Sequence, residues 1–429
     1  MSASARLDLH AWREQTIIAP ALVAFASGFG QFGAVAALGD IAQSFGQVAR
    51  GTTIADQAGL SGTEIGIGLA ILRLASLGGL PVAGLADRFG RRPTLLWSVT
   101  IGLVLTALAA VSPTYWWFVA VFACGRPLLS ATNALTSVAA AEETASENRA
   151  KAVALVSAGY AIGAGLTALL HSLGVGGTSF RFVLALALVP LALVVAIRHW
   201  IHEPDRFAAV AAGPELALPV LGAVGRRFRR RLGIIALAGF ALSVITGPAN
   251  SFVFLYADDI VHQRGDVTAA MVVTAGAAGL GGLLIGRYLA DHLGRRGTGA
   301  IGMVAVGGFG VLAYSGSEVA LFIGYVFGVL AGAVLAPAIG SLVNELFPTP
   351  VRASAAGWWL AAGVAGAVAG LLEFGALADV DNRLGFSALI TFLPAALAAV
   401  LFFALPETRG LEPEQLWPTE PLGTRSAET

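Results

Sequence analysis

Two arginines sit in apolar surroundings where a cation is expensive. Arg126 lies about ten residues into one long apolar run, and Arg73 lies midway along another. An arginine at the centre of a membrane helix costs about 2.5–3.5 kcal/mol on insertion scales, so each needs water, a partner or a ligand. A planar guanidinium offers paired donors to a carboxylate, a phosphate or a polyhydroxyl solute. The competing roles are structural: Arg126 bonded to helix carbonyls or serving a gate, Arg73 bonding between helices. Ser130, Asn133 and Ser137 follow Arg126 at i+4, i+7 and i+11, which puts all four on one helical face. Comparable polar residues occur as Ser27 and Gln31, as Ser243, Thr246 and Asn250, and as Ser341 and Asn344. Asn250 follows Gly247-Pro248, a pair predicted to break its helix and expose backbone groups, and Tyr256 closes the same run. Gln31 and Asn250 read equally well as amides packed between helices.

Glu373 and His171 lie toward the ends of two further apolar runs, where a coupling proton could bind, although simple solvation explains them too. The apolar runs hold no metal-ligand cluster, no Ser–His pairing and no phosphate-loop lysine, so no cofactor, metal or catalytic centre is expected. Cys124, the one cysteine, reads as a small buried hydrophobe.

The elements that must position these residues follow from composition. Of 429 residues, 56% are hydrophobic and 12% charged, and the mean hydropathy is +0.78. A soluble chain carries about 25% charged residues; here the solvent for most of the chain must be lipid. The zero net charge gives no reason to expect nucleic acid. Twelve runs of spanning length fall near 17–38, 64–83, 94–112, 116–140, 152–173, 181–199, 232–257, 267–286, 298–315, 318–344, 353–376 and 385–405. The first resembles a signal peptide but is long enough to span, and is read as retained. The expected division is a six-helix bundle over 1–199, a central loop over 200–231, a second bundle over 232–405 and a tail over 406–429.

Twenty of the 26 Arg and Lys residues fall on the side of the N-terminus and four on the other. The positive-inside rule then puts both termini in the cytoplasm, with the Arg226–Arg231 cluster against anionic lipid. Lys151 is the only lysine, a bias that suits a GC-rich bacterial coding sequence.

The chain also repeats itself. Leu85-Ala86-Asp87 and Gly90-Arg91-Arg92 recur about 204 residues later as Leu289-Ala290-Asp291 and Gly294-Arg295-Arg296. Phe182 and Pro190 return as Phe386 and Pro394, Glu142 and Arg149 as Glu345 and Arg352, and Glu203 as Glu407. Matches in register point to a duplicated six-helix unit.

With these residues in view, the chain resembles the major facilitator superfamily. Gly84-Leu-Ala-Asp87-Arg88-Phe-Gly90-Arg91-Arg92 looks like its loop between spans 2 and 3, with Ala83 where a glycine is usual. Pro406-Glu-Thr-Arg-Gly410 resembles the closing motif of the sugar-porter and metabolite-symporter branch. The resemblance implies an all-α membrane protein of twelve transmembrane helices in two pseudo-symmetric six-helix bundles, with spans 1, 4, 7 and 10 around a central cavity. On that basis Gln31, Arg73, Arg126, Ser130, Asn133, Asn250 and Tyr256 are the expected substrate residues. Asp87, Arg91, Glu142, Arg149 and Glu203, with Asp291, Arg295, Glu345, Arg352 and Glu407, are the expected bridges of a cytoplasmic gate; a purely topogenic role is the alternative. Four-residue glycine spacings such as Gly159/Gly163, Gly282/Gly286, Gly324/Gly328/Gly332 and Gly366/Gly370 favour close helix packing, and the resemblance would put some of them between the halves.

The function these readings predict is secondary transport of a small polar metabolite, sugar or organic anion, across the cytoplasmic membrane by alternating access, with proton coupling expected from the family. The partners expected are the solute, protons and the bilayer, with the chain a monomer. A multidrug efflux antiporter is the first alternative, although Ala158-Gly-Tyr-Ala-Ile-Gly-Ala-Gly165 lacks the Gly-Pro-rich pattern of such exporters. A transporter-like sensor is the alternative from another class, although the polar breaks are too short for signalling domains.

Overall fold

The computed structural model describes residues 15–51, 53–144, 149–175, 177, 179–201, 228–381 and 383–410. Twelve helices in it are long and apolar enough to cross a membrane. In the first half they are α1 (Ile18–Ala36), α2 (Gly62–Gly84), α3 (Arg91–Val111), α4 (Tyr115–Ala141), α5 (Ala152–Ser172) and α6 (Phe180–Ile197). In the second they are α7 (Phe228–Ser251), α8 (Gly265–His292), α9 (Arg295–Ala313), α10 (Glu318–Glu345), α11 (Ser354–Val380) and α12 (Leu384–Ala404). Large apolar side chains such as Leu284, Val319, Leu397 and Val400 stand exposed on these helices, as lipid-facing surfaces require. Cys124, expected to be buried, is among the exposed residues, because it lies on the face of α4 away from the helix packing. Most of the central loop with Glu203, and the tail beyond residue 410, lie outside the described residues, as do the side chains of Asp87, Glu142 and Arg149.

The duplication is visible in the backbone. Gly90 starts α3 at φ 96°, and its repeat Gly294 starts α9 at φ 90°. That left-handed region is costly for any residue with a Cβ, which is why each motif loop carries glycine there.

Close helix contacts run through small residues. Gly159 and Gly163 of α5 abut the carbonyl oxygens of Ala21 and Phe25 on α1, with no room for a Cβ. Gly282 and Gly286 of α8 do the same on Leu330 and Val334 of α10, and Gly366 and Gly370 of α11 on Phe240 and Val244 of α7. These three spacings therefore knit helices within a half. The halves instead meet where Gly62 and Gly66 of α2 pack on Gly375 and Leu371 of α11, and where Gly265 of α8 meets Ser172 of α5.

Pro248 does not break α7 where the sequence suggested. The helix runs through it to Ser251 and ends at Phe252, followed by a π-turn over Tyr256–Ile260. Pro248 removes the donor for the Val244 carbonyl, and that carbonyl lies under Gly370, so packing from α11 holds the helix through the proline.

Candidate functional site

A central cavity of about 220 Å³ lies between the halves. From the first half it is lined by Gln31, Phe32, Arg73, Phe122, Arg126 and Tyr160, and from the second by Thr246, Asn250, Ser251 and Leu371, among others. Four of the seven expected substrate residues are thus brought together: Gln31, Arg73, Arg126 and Asn250.

Local structure explains their placement. In α4, Arg126 precedes Pro127, and Gly78 and Gly79 of α2 pack against Pro127 and Ser130. This contact coincides with a 3-10 turn at Ser76–Gly78, just after Arg73. Arg126 donates from Nη1 to the Gln31 carbonyl at 3.1 Å; its Nε is buried with no hydrogen-bond partner. The Gln31 amide donates to Ser27 Oγ at 3.0 Å, and Ser27 donates to the Leu129 carbonyl at 2.9 Å. Asn250 donates to the Thr246 carbonyl at 2.9 Å, leaving its amide oxygen free for the cavity. Among the described residues no carboxylate pairs with Arg73 or Arg126.

The other three expected residues lie elsewhere. Ser130 faces Gly79 in the α2–α4 contact. Asn133 lies two turns along α4 from Arg126, its amide oxygen buried and unpartnered. Tyr256 is 2% exposed and packs at 4.8 Å from the Tyr314 ring, in an aromatic cluster with Phe252, Phe374 and Phe392. Tyr160 was not singled out from the sequence as a site residue. It owes its place to the glycine-mediated contact of α5 with α1, since its own backbone lies against Gly28, and a tyrosine in an apolar run carries no local mark of that.

At the end away from the motif loops, a seam joins the halves. Asp379 of α11 accepts from the N–H groups of Gly62 at 2.6 Å and Thr63 at 2.8 Å, and from the Thr63 hydroxyl at 2.5 Å. A carboxylate there also meets the positive end of the α2 dipole. Gln43, on the short helix Leu38–Phe45, donates to Asp259 at 2.5 Å. His171 Nε2 stands 4.0 Å from Asp258, whereas Glu373, the other expected proton site, is exposed. Asp40 accepts from the Phe180 N–H, beside the Arg181 guanidinium. Asp258 and Asp259 lie between α7 and α8. Burial pushes Asp258 up to about 6. Burial and the neighbouring Asp258 and Asp40 charges push Asp259 up to about 7, against the hydrogen bond from Gln43.

At the motif-loop end the described ion pairs lie within the second half. Arg295 lies 3.3 Å from Glu345 and 3.7 Å from Asp291, and Glu407 accepts from the N–H groups of Arg295 and Arg296 at 2.9 and 3.2 Å. Of the expected gate set, these four therefore tie α8, α9, α10 and the end of α12 into one belt. Arg352 keeps a buried Nε without a partner.

A model of the Major Facilitator Superfamily matches residues 21–214, and one described as Sugar (and other) transporter matches 219–417. The chain belongs to the major facilitator superfamily. It is 24% identical, over 83% of its length and 85% of the relative, to a probable 4-methylmuconolactone transporter of Cupriavidus pinatubonensis. It is also 24% identical, over 76% of its length and 82% of the relative, to a cis,cis-muconate transport protein of Acinetobacter baylyi. Among solved structures it superposes on the inward-open xylose transporter XylE from E. coli with a TM-score of 0.70, at 18% identity over 93% of this chain and 98% of that one. An inward-facing bacterial homologue of the human lysosomal transporter Spinster gives 0.72, at 15% identity over 94% and 97%. This superfamily member is a multi-pass membrane protein and a transporter of small metabolites rather than an enzyme.

Proposed function

We propose that the solute is a small organic carboxylate, held by Arg126 together with Arg73 and carried by one monomer across a bacterial cytoplasmic membrane. One observation carries this reading: two guanidiniums share a cavity with no carboxylate among its described lining residues. Arg73 is exposed to the cavity and Arg126 half-buried beside it, and two guanidiniums without a carboxylate partner favour an anion that offers paired acceptors. Two relatives are named for transport of muconate, an organic anion, and of 4-methylmuconolactone. The arginine bias supports a cytoplasmic position for the motif loops and both termini. The described hydrogen bonds between the halves gather at the opposite end, so this conformer is read as inward-facing, with the outer end shut. Alternating access follows if that seam opens while the motif-loop end closes. Protons are assigned to the same seam, where His171 faces Asp258.

The test is uptake of labelled carboxylates and of xylose into proteoliposomes. Arg126→Ala should lower carboxylate uptake by about 30-fold or more with normal membrane insertion, the scale of removing one partner of a desolvated charge pair. Unaltered uptake kinetics would remove Arg126 from the site; transport of xylose with no carboxylate would sink the anion assignment.

A further inference from the structure

Thr246 and Asn250, one turn apart on α7, border two cavities rather than one. Beyond them, a second space of about 260 Å³ opens inside the second half between α7, α9 and α10. Its walls are Val306, Ala313, Val329 and the rings of Tyr314 and Tyr325, with glycines at 310, 324, 328 and 332. Two of the polar groups at its edge are engaged. The Tyr314 hydroxyl donates to the Ala249 carbonyl at 3.0 Å, and the Asn250 amide to the Thr246 carbonyl at 2.9 Å.

The glycines differ in what they face. Gly324 packs on the α9 backbone at Ala313 and leaves no room for a side chain. One turn on, a Cβ at Gly328 would find its nearest atom, on Phe309, at 3.8 Å, and at Gly332 it would find nothing within 4 Å. The spacing that favours helix packing therefore serves packing at one end and keeps space open at the other. An apolar cavity of about 150 Å³ holds benzene, so this one has room for a six-membered ring or a chain of similar bulk.

We propose that the substrate is a carboxylate carried on a flat apolar body, its charge held by Arg126 and Arg73 of the first half and its body seated in the glycine-lined pocket of the second. This rests on the anion reading above and adds to it. The two halves contribute unlike chemistry to one ligand, so a solute with both features spans the interface and draws the halves together around it. A polyol of the same size would turn several hydroxyls toward the carbon-lined walls of Val306, Ala313 and Val329, and unpaired polar groups count heavily against binding.

Calorimetric titration of the purified full-length protein with benzoate, acetate and gluconate tests the proposal. Benzoate should bind at least about tenfold more tightly than acetate or gluconate, the range expected for filling a hydrophobic pocket. Gly332→Leu should collapse that preference, and Gly332→Ala should reduce it by a smaller factor; if the leucine variant does not fold, the alanine variant carries the comparison. Arg126→Ala should weaken binding of all three. Gluconate binding as tightly as benzoate, or a preference unchanged in a folded Gly332 variant, overturns the apolar pocket and leaves the anion reading standing. Benzoate binding that is indifferent to Arg126→Ala overturns the anion reading itself, and absence of binding by all three overturns both.

Discussion

The two ends of the bundle are held by different chemistry. At the motif-loop end, Arg295, Glu345, Asp291 and Glu407 pair with one another inside the second half. At the other end, Asp379 and Asp259 of the second half take hydrogen bonds from neutral donors of the first: Gly62, Thr63 and Gln43. The belt is built from repeated residues, because duplication copies contacts made within a unit. The seam draws on residues the repeat does not supply. Asp379 has no counterpart, since the shift of about 204 lands on Val175. Belt residues can therefore hold the second half rigid while the seam opens and closes between the halves, as rigid-body exchange between two states requires.

The largest effect is expected from Asp379→Ala, which removes three hydrogen bonds between the halves at once. Hydrogen bonds to a charged group are worth about 1.5–3 kcal/mol each, so the seam-open population should rise at least about tenfold. Spin labels at Val48→Cys and Val380→Cys, in a Cys124→Ser background, report it, since both sites are exposed and lie on opposite halves. An unchanged distance distribution would mean that the seam does not set the balance.

Proton dependence should come next. In a closed seam Asp259 and Asp258 sit at about 7 and about 6; opened to water they should return to the carboxylate range near 4. The closed form then binds more protons between about pH 4 and pH 7, so acidification through that window favours closure, alkalinisation through it favours opening, and the balance levels off on either side. The change should reach up to about tenfold per pH unit for one linked proton. Other charged groups nearby are Asp40, Arg181, His171, His262 and the exposed Arg264–Asp266 pair. Asp259→Asn should flatten most of the response in the same label distances, and a response of undiminished slope in that variant would move the proton site elsewhere.

The smallest effect should follow Glu345→Gln. It weakens the part-exposed pair with Arg295, and such a pair is worth about 0.2–1 kcal/mol. The melting temperature should fall slightly and the seam distance should hold. A shift as large as that of Asp379→Ala would show instead that the belt reaches across to the first half in the other conformer, as the family resemblance implies for the gate.

How far the sequence could be read varies with the range of the interaction. All twelve spans were legible, because each must be apolar over its own length to cross lipid. Arg126 and Arg73 stood out because an arginine among apolar neighbours is costly wherever the chain folds. Ser130 shared a helical face with Arg126, yet Gly79 of α2 covers it, a contact set by two helices together. Tyr160, Asp379 and Gln43 gave no local sign of their roles, since a tyrosine in an apolar run and polar residues near helix ends are ordinary in isolation.

By itself the sequence determined the solvent, the number of spans, the duplication and the cost of two cations among apolar neighbours, each a property of a residue and its chain neighbours. Tertiary structure alone decided which polar side chains reach the cavity, which glycines leave space beside it, and which carboxylates join the halves. Those depend on partners as distant as the 317 positions between Gly62 and Asp379, and no local pattern encodes the meeting of helices so far apart in the chain.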